Sequence, residues 1–227
     1  MKSDKTCCII IPTYKTYDRL SMIEKKYLEN NIKVLNDYPI IILCPDNLNT
    51  NSYNNLEINS FLKFDASFFK NVNCYNDLML STAFYEQLKE YDYMLLVQLD
   101  AYVFKNDLEY FLGLGYDYIG NLHKIPHVKD KMINGNGGFS LRKIDSFINA
   151  SKTIKKDLNG IKDWEDIMYS YWYKDKMNIA PDEISLKFGW QQNPNKCYEM
   201  NGNKLPFGCH KPHIFGKDFE SYQIIFK

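Results

Sequence analysis

The sequence predicts an α/β fold, a mostly parallel central sheet flanked by helices, in one domain over residues 1–227. Three observations carry that prediction. Short, almost wholly apolar runs recur at residues 7–11, 40–43 and 93–99. Runs of that length without polar alternation fit strands buried on both faces. Between them lie segments with helical spacing of apolar residues, so strands and helices alternate. The chain has 227 residues, 45% of them hydrophobic, enough for a sizeable core and too many for a disordered chain.

The first run, 7–11, stops at Pro12. Residues 18–30 then carry Leu20, Ile23, Tyr27 and Leu28 at helical spacing. After the second run the Asn-rich stretch 46–55 reads as an exposed loop. Asn76 is the expected N-cap of a helix to about residue 90 that buries Leu80, Phe84 and Leu88. The third strand ends near Asp100. Asp107 caps a short helix through Leu112, and 116–119 is another strand. Residues 121–133 hold His123, His127, Pro126 and several charges, and read as a loop that orders when a ligand binds. A tight glycine turn at 135–138 leads into an extended run, 138–141. Helical stretches follow at 144–158, at 164–172 and after Pro181, where Ile184, Leu186 and Phe188 share a face. The tail 223–226 reads as a strand. No repeat or linker divides the chain.

Charge and cysteine content narrow the function classes. Lys plus Arg and Asp plus Glu are 28 each, so the net charge is zero, which argues against a whole-molecule nucleic-acid binder. The six cysteines contain no CxxC pair, and Cys7, Cys8 and Cys44 lie in or beside apolar strands, where a thiol acts as a small hydrophobe. The spacing of Cys197, Cys209, His210 and His213 fits no zinc pattern. A reduced, cytoplasmic protein is the expectation. The five-residue apolar run before Pro12 is too short for a secretory core, and no stretch approaches the roughly twenty apolar residues of a membrane span.

Two segments stand out for chemistry. Residues 93–104, YMLLVQLDAYVF, carry Asp100 out of an apolar strand. Desolvating a carboxylate is costly, so a cation or ligand hydroxyl at the strand's mouth is the expected offset; in open α/β sheets ligands bind at that mouth. Asp100 could instead only cap the turn. Residues 134–142, NGNGGFSLR, bring three glycines together, which permit close backbone approach to a ligand. No Gly-Lys-Ser/Thr follows, so this is not a phosphate loop of the Walker type.

CYNDLMLSTAFYEQLKEYDYMLLVQLDAYVF, GYDYIG, NGNGGFSLR, the Glu165-Asp166 pair and FGCHKPHIF follow one another in this order. In them the chain resembles a bacterial family of short GT-A-type glycosyltransferases found among cell-surface polysaccharide genes and long catalogued as a domain of unknown function. The resemblance runs from about Ile9 to Phe215. It implies a Rossmann-like GT-A domain that moves a sugar from a nucleotide-diphosphate sugar, UDP-linked by expectation, to a hydroxyl of a surface glycan or lipid-linked precursor, with inversion. It also implies work in the cytoplasm, at the inner face of the membrane through peripheral contact.

The resemblance assigns roles by position. Such enzymes carry Asp-x-Asp at a strand end to hold a divalent metal, Mn2+ or Mg2+, on the donor diphosphate. Here the pattern is broken. Gln98-Leu99-Asp100 puts Asp100 at the metal position; Asp100-Ala101-Tyr102 puts a tyrosine there, a poor ligand for these ions. His210 is the second metal candidate. Donor contacts are expected from Pro12, Thr13 and Tyr14 after the first strand, from Asp100, from Asn136, Gly137 and Gly138, and from Arg142 and Lys211. For Arg142 a salt bridge is the alternative. Asp166 is the expected general base, with Glu165 as runner-up. Trp164, Trp172 and Trp190 are candidate acceptor platforms. Two rivals remain. A nucleotidyltransferase would need a glycine-rich basic loop after the first strand, and residues 12–17, PTYKTY, hold no glycine. A catalytically inactive glycan- or nucleotide-sugar-binding module of the same fold would show no donor hydrolysis.

Overall fold

The computed structural model describes residues 4–124, 132–158, 161 and 163–226. Its strands are β1 (Cys7–Pro12), β2 (Ile40–Pro45), β3 (Ser60–Phe64), β4 (Tyr93–Val97), β5 (Ala101–Val103), β6 (Tyr118–Lys124), β7 (Met132–Lys143), β8 (Gly189–Trp190) and β9 (Gly208–His210). They form one sheet in the order β3-β2-β1-β4-β7-β6-β8-β9-β5. Pairing is parallel from β3 through β4 and from β6 through β9, and antiparallel where β7 meets β4 and β6 and where β5 meets β9. The expected α/β architecture with a mostly parallel sheet is therefore present.

Strand alternation sends side chains to two apolar layers. Ile9, Ile11, Leu95, Val97, Phe139 and Leu141 share one cluster; Cys8, Ile10, Met94 and Leu96 share the other. Helices α1 (Met22–Val34) and α4 (Leu108–Leu114) and the helix Asp182–Phe188 contribute to the first layer. Helices α2 (Val72–Met79), α3 (Thr82–Glu86) and α5 (Ile144–Asp157) contribute to the second. The unbroken apolar runs follow from this burial on both sides.

Several elements differ from the sequence reading. The first helix starts at Met22, not 18, because Ser21 and Glu24 form a reciprocal capping box. The expected helix from Asn76 to 90 is two helices: Asn71 caps α2 and Ser81 caps α3, each through its side chain. The buried trio Leu80, Phe84 and Leu88 is nonetheless as expected. Residues 121–124 extend β6 rather than opening a loop, and the rest of that predicted loop, 125–131, lies outside the described residues. The glycine segment is not a tight turn. It runs inside β7, with register shifts against β6 at Gly120–Leu122 and with Gly135 at φ +142°. The tail 223–226 is helical: Tyr222 and Ile225 are buried while Ile224 is exposed, a spacing that suits a helix and not a strand. Strands β3, β8 and β9 were not foreseen.

Strand β1 lies between β2 and β4, so the chain leaves it first toward one edge of the sheet and later returns on the other side. Such a switch point leaves a crevice beyond the carboxyl ends of the two strands.

Candidate active site

A cleft of about 460 Å³ opens at that switch point. Pro12, Thr13, Tyr14 and Lys15 wall it from the end of β1, and Gln98, Leu99 and Asp100 from the end of β4; Asn71, Val72 and Tyr75 close it from the start of α2. The β1 wall is shaped locally. The Thr13 hydroxyl accepts from the Lys15 amide at 3.1 Å, and the Tyr53 hydroxyl donates to the Lys15 carbonyl at 2.8 Å. Lys15 pairs with Glu24 at 2.9 Å across the cleft wall. Tyr14 stands exposed at the rim.

Asp100 occupies a tight turn between β4 and β5, closed by the Ala101 amide on the Gln98 carbonyl at 2.8 Å. Gln98 and Asp100 both face the cleft, whereas Tyr102 packs edge-on against Tyr27 in a separate apolar cluster. Asp100 thus faces the cleft and Tyr102 does not. Asp100 Oδ1 lies 3.0 Å from His210 Nε2, and the Lys211 amide donates to the Asp100 carbonyl at 2.8 Å. Burial works to raise the Asp100 pKa, but the hydrogen bond and electrostatic pull of His210, with Lys211 behind it, hold the carboxyl below its usual range. Lys211 adopts left-handed backbone, φ +54°, between β9 and Pro212; strain of that kind in a non-glycine residue marks a constrained position.

The glycine strand lies behind the turn. The Gln98 amide donates to the Gly138 carbonyl at 2.9 Å. A Cβ on Gly138 would come within 2.2 Å of the His210 ring, and one on Gly137 within 2.7 Å of Glu165 Oε1 and 2.9 Å of the Asp166 Cβ. Glycine is thus required for close packing at both places. Asp166 is buried with both oxygens engaged: Oδ2 accepts from the Gly137 amide at 2.9 Å, Oδ1 from the Ile167 amide at 2.8 Å. The Asn136 carboxamide approaches Oδ2 at 3.5 Å and accepts from the Gly138 amide at 3.2 Å.

Glu165 faces inward. Its carboxylate takes a two-pronged contact from Arg142, at 2.9 and 3.2 Å, and Arg142 also donates to the Tyr85 and Ser140 hydroxyls. Both side chains are buried. Burial pushes the Glu165 carboxyl upward, Arg142 pulls it down, and Asp166 adds to the rise; Glu165 in turn holds Arg142 charged against its own burial. The salt-bridge alternative for Arg142 is the one realised: the guanidinium is fully enclosed and does not line the cleft.

Among the sequence candidates, Pro12, Thr13, Tyr14 and Asp100 line the cleft; Asn136, Gly137, Gly138, Glu165, Asp166, His210 and Lys211 gather directly behind or beside its Asp100 end. Sequence reasoning missed Asn71, Tyr75 and Gln191. The first was legible as a helix cap. Gln191 follows a two-residue strand that no periodicity announces.

Among the described residues no set of three or more His, Cys, Asp or Glu side chains is gathered to hold a metal ion. Asp100 Oδ1 and His210 Nε2 do form a two-donor set, one hard oxygen and one imidazole nitrogen. The pair suits Mn2+ bound chiefly by substrate phosphates and water, whereas Mg2+, which prefers oxygen, would use Asp100 alone.

A family model matches residues 59–210, from β3 through the last residue of β9. The chain belongs to the family described as protein of unknown function, DUF5672. The DUF5672 match contains Asp100, the glycine strand, Glu165, Asp166 and His210, and leaves out the β1 wall of the cleft. No curated protein matches the sequence. In structure, the DUF5672 chain is similar to a glycosyltransferase involved in the glycosylation of the major capsid of PBCV-1, with 11% identity, TM-score 0.53, and 97% of this chain and 98% of that one covered. It is also similar to the glycosyltransferase GlyE of Streptococcus pneumoniae TIGR4, with 13% identity and TM-score 0.56; 97% of this chain is covered but only 59% of GlyE. The apo form of GlyE gives TM-score 0.54 at 12% identity, with 91% of this chain and 54% of that one covered. At such identities the shared property is the fold.

Proposed function

We infer that this protein is a glycosyltransferase that takes a sugar from a nucleotide-diphosphate donor, UDP-linked by preference, and passes it to a glycan hydroxyl. The observation that carries the reading is one convergence. Asp100 closes the switch-point cleft, His210 stands against it, and the glycine strand joins both to Asp166.

In this reading the nucleoside lies against Thr13, Tyr14, Asn71 and Tyr75, with its diphosphate toward Asp100, His210 and Lys211. A divalent cation held by Asp100 and His210 would neutralise charge on the leaving diphosphate. Asp166 acts as general base on the acceptor hydroxyl, and inversion at the anomeric carbon follows from one displacement. The Gly137 amide and the Asn136 carboxamide hold Oδ2 and the Ile167 amide holds Oδ1, which keeps a free lone pair for the proton. Glu165 is a positioning residue, since its oxygens are spent on Arg142.

On the acceptor side, Trp164 precedes the acidic pair and is 53% exposed beside a second cleft lined by Asn73, Asn76 and Asp77. An aromatic face with amides beside it suits a sugar ring. The family resemblance supports a surface polysaccharide or its lipid-linked precursor as acceptor, with the chain working in the cytoplasm at the inner membrane face. Among the described residues no helix is long and apolar enough to cross a membrane.

The test is release of UDP from a panel of UDP-sugars with Mn2+, in wild type and Asp166→Asn. Slow donor hydrolysis that falls in the variant supports a transferase. Tight donor binding with no hydrolysis and no transfer would instead identify a binding module.

A further inference from the structure

His210 is held from three sides. Its ring lies against the Gly138 backbone, its Nε2 faces Asp100 Oδ1 at 3.0 Å, and its Nδ1 faces Gln191 Oε1 at 2.7 Å. The residue is 3% exposed. Gln191 is itself anchored to the sheet, through its amide on the Leu122 carbonyl at 3.2 Å.

An amide oxygen can only accept a hydrogen bond, so the contact with Gln191 requires the proton on Nδ1. Any neutral ring that keeps this contact presents a lone pair at Nε2, directly toward a carboxylate oxygen. Two acceptors 3.0 Å apart repel unless positive charge lies at the contact. Either a second ring proton or a cation supplies it.

We propose that Gln191 is a positioning residue: it fixes the Nδ1–H form of His210 and thereby keeps Nε2 available to a divalent cation shared with Asp100. This rests on the glycosyltransferase reading only for the identity of the nucleotide that accompanies the cation. An outer partner that orients a metal-bound imidazole commonly controls metal affinity 10- to 100-fold.

The experiment measures Mn2+ affinity by paramagnetic resonance, with and without UDP, in wild type, Gln191→Leu and Gln191→Glu. Gln191→Leu removes the acceptor and should weaken Mn2+ binding about 10- to 100-fold. Gln191→Glu keeps an acceptor and should stay within a few-fold of wild type. Melting temperatures of both variants separate this from a loss of packing, which would move both together. The second readout is nitrogen NMR of the Zn2+–UDP complex with labelled histidine, Zn2+ being diamagnetic and a ligand for both imidazole and carboxylate; a His210→Asn variant identifies the signal among the four histidines. The expected ring carries its proton on Nδ1 and none on Nε2, and Gln191→Leu loses that preference. Wild-type Mn2+ affinity in a folded Gln191→Leu protein, or a protonated Nε2 in the wild-type complex, overturns the proposal. UDP binding that is indifferent to Mn2+ also overturns it, yet leaves the reading of the cleft standing. Failure to bind UDP at all overturns both.

Discussion

Asp100 is depressed in pKa because His210 and Lys211 favour its ionised form more than burial disfavours it. Its contribution to stability is therefore present above the unfolded value of about 3.9 and is lost as pH falls through the lower folded value. The melting temperature of Asp100→Asn should lie below wild type at neutral pH, and the gap should close as pH drops below about 4. Scanning calorimetry across that range checks it; a gap that persists in acid contradicts the pairing. The two neighbouring carboxylates should separate cleanly. Asp166→Asn should lower kcat by roughly 10²- to 10⁴-fold, the usual worth of a general base, with donor affinity unchanged. Glu165→Gln leaves Arg142 buried without its full partner. That costs up to about 3–5 kcal/mol, a fall in Tm on the order of 10 °C. Kinetics and melting of the two variants together decide the assignment: a Glu165→Gln protein with wild-type Tm but lost turnover would reverse the roles. Trp164→Ala should raise the acceptor KM several-fold and leave UDP affinity alone.

At the scale of elements, β7 joins the two halves of the site, because its glycines bring backbone against His210 on one side and against Glu165 and Asp166 on the other. Gly138→Ala must displace either the ring or the strand. Donor affinity measured with Mn2+ should fall at least roughly tenfold, the cost of about 1.4 kcal/mol of misplacement. Gly113→Ala is the control. Nothing lies within 4 Å of its Cβ in α4, so it should stabilise the protein by roughly 0.4–1 kcal/mol through the unfolded chain. The buried strands were readable because sheets covered on both faces demand unbroken apolar runs. The glycine segment was misread as a turn because three glycines signal freedom of backbone; here only Gly135, at φ +142°, uses that freedom, while Gly137 and Gly138 answer a lack of room. The tail misled for a related reason: Ile224 and Ile225 suggest a strand, but only Ile225 is buried. Strands β8 and β9 were invisible because two or three residues carry no period, and their place is set by β5 and β6 across the sheet.

At the scale of the whole molecule, the sheet order puts the cleft at the one place where parallel connections diverge, between β1 and β4. The remainder of the sheet carries β7 and β9 to the same end, so residues separated by over a hundred positions, Asp100 and His210 among them, come into contact. The sequence order of the motifs was legible, and the family resemblance implied that Asp100 and His210 share a site; composition and periodicity alone do not bring them together, because the meeting depends on long-range pairing of β5 with β9. The central claim is that this cleft binds a nucleotide diphosphate with help from a cation at Asp100. Calorimetric titration of UDP in Mn2+ and in chelator, on wild type and Asp100→Asn, tests it most directly. The expected result is saturable binding to wild type, at least roughly tenfold tighter with Mn2+ (about 1.4 kcal/mol), with that gain lost in the variant. Absence of UDP binding, or binding that Asp100→Asn leaves unchanged in Mn2+, would contradict the account.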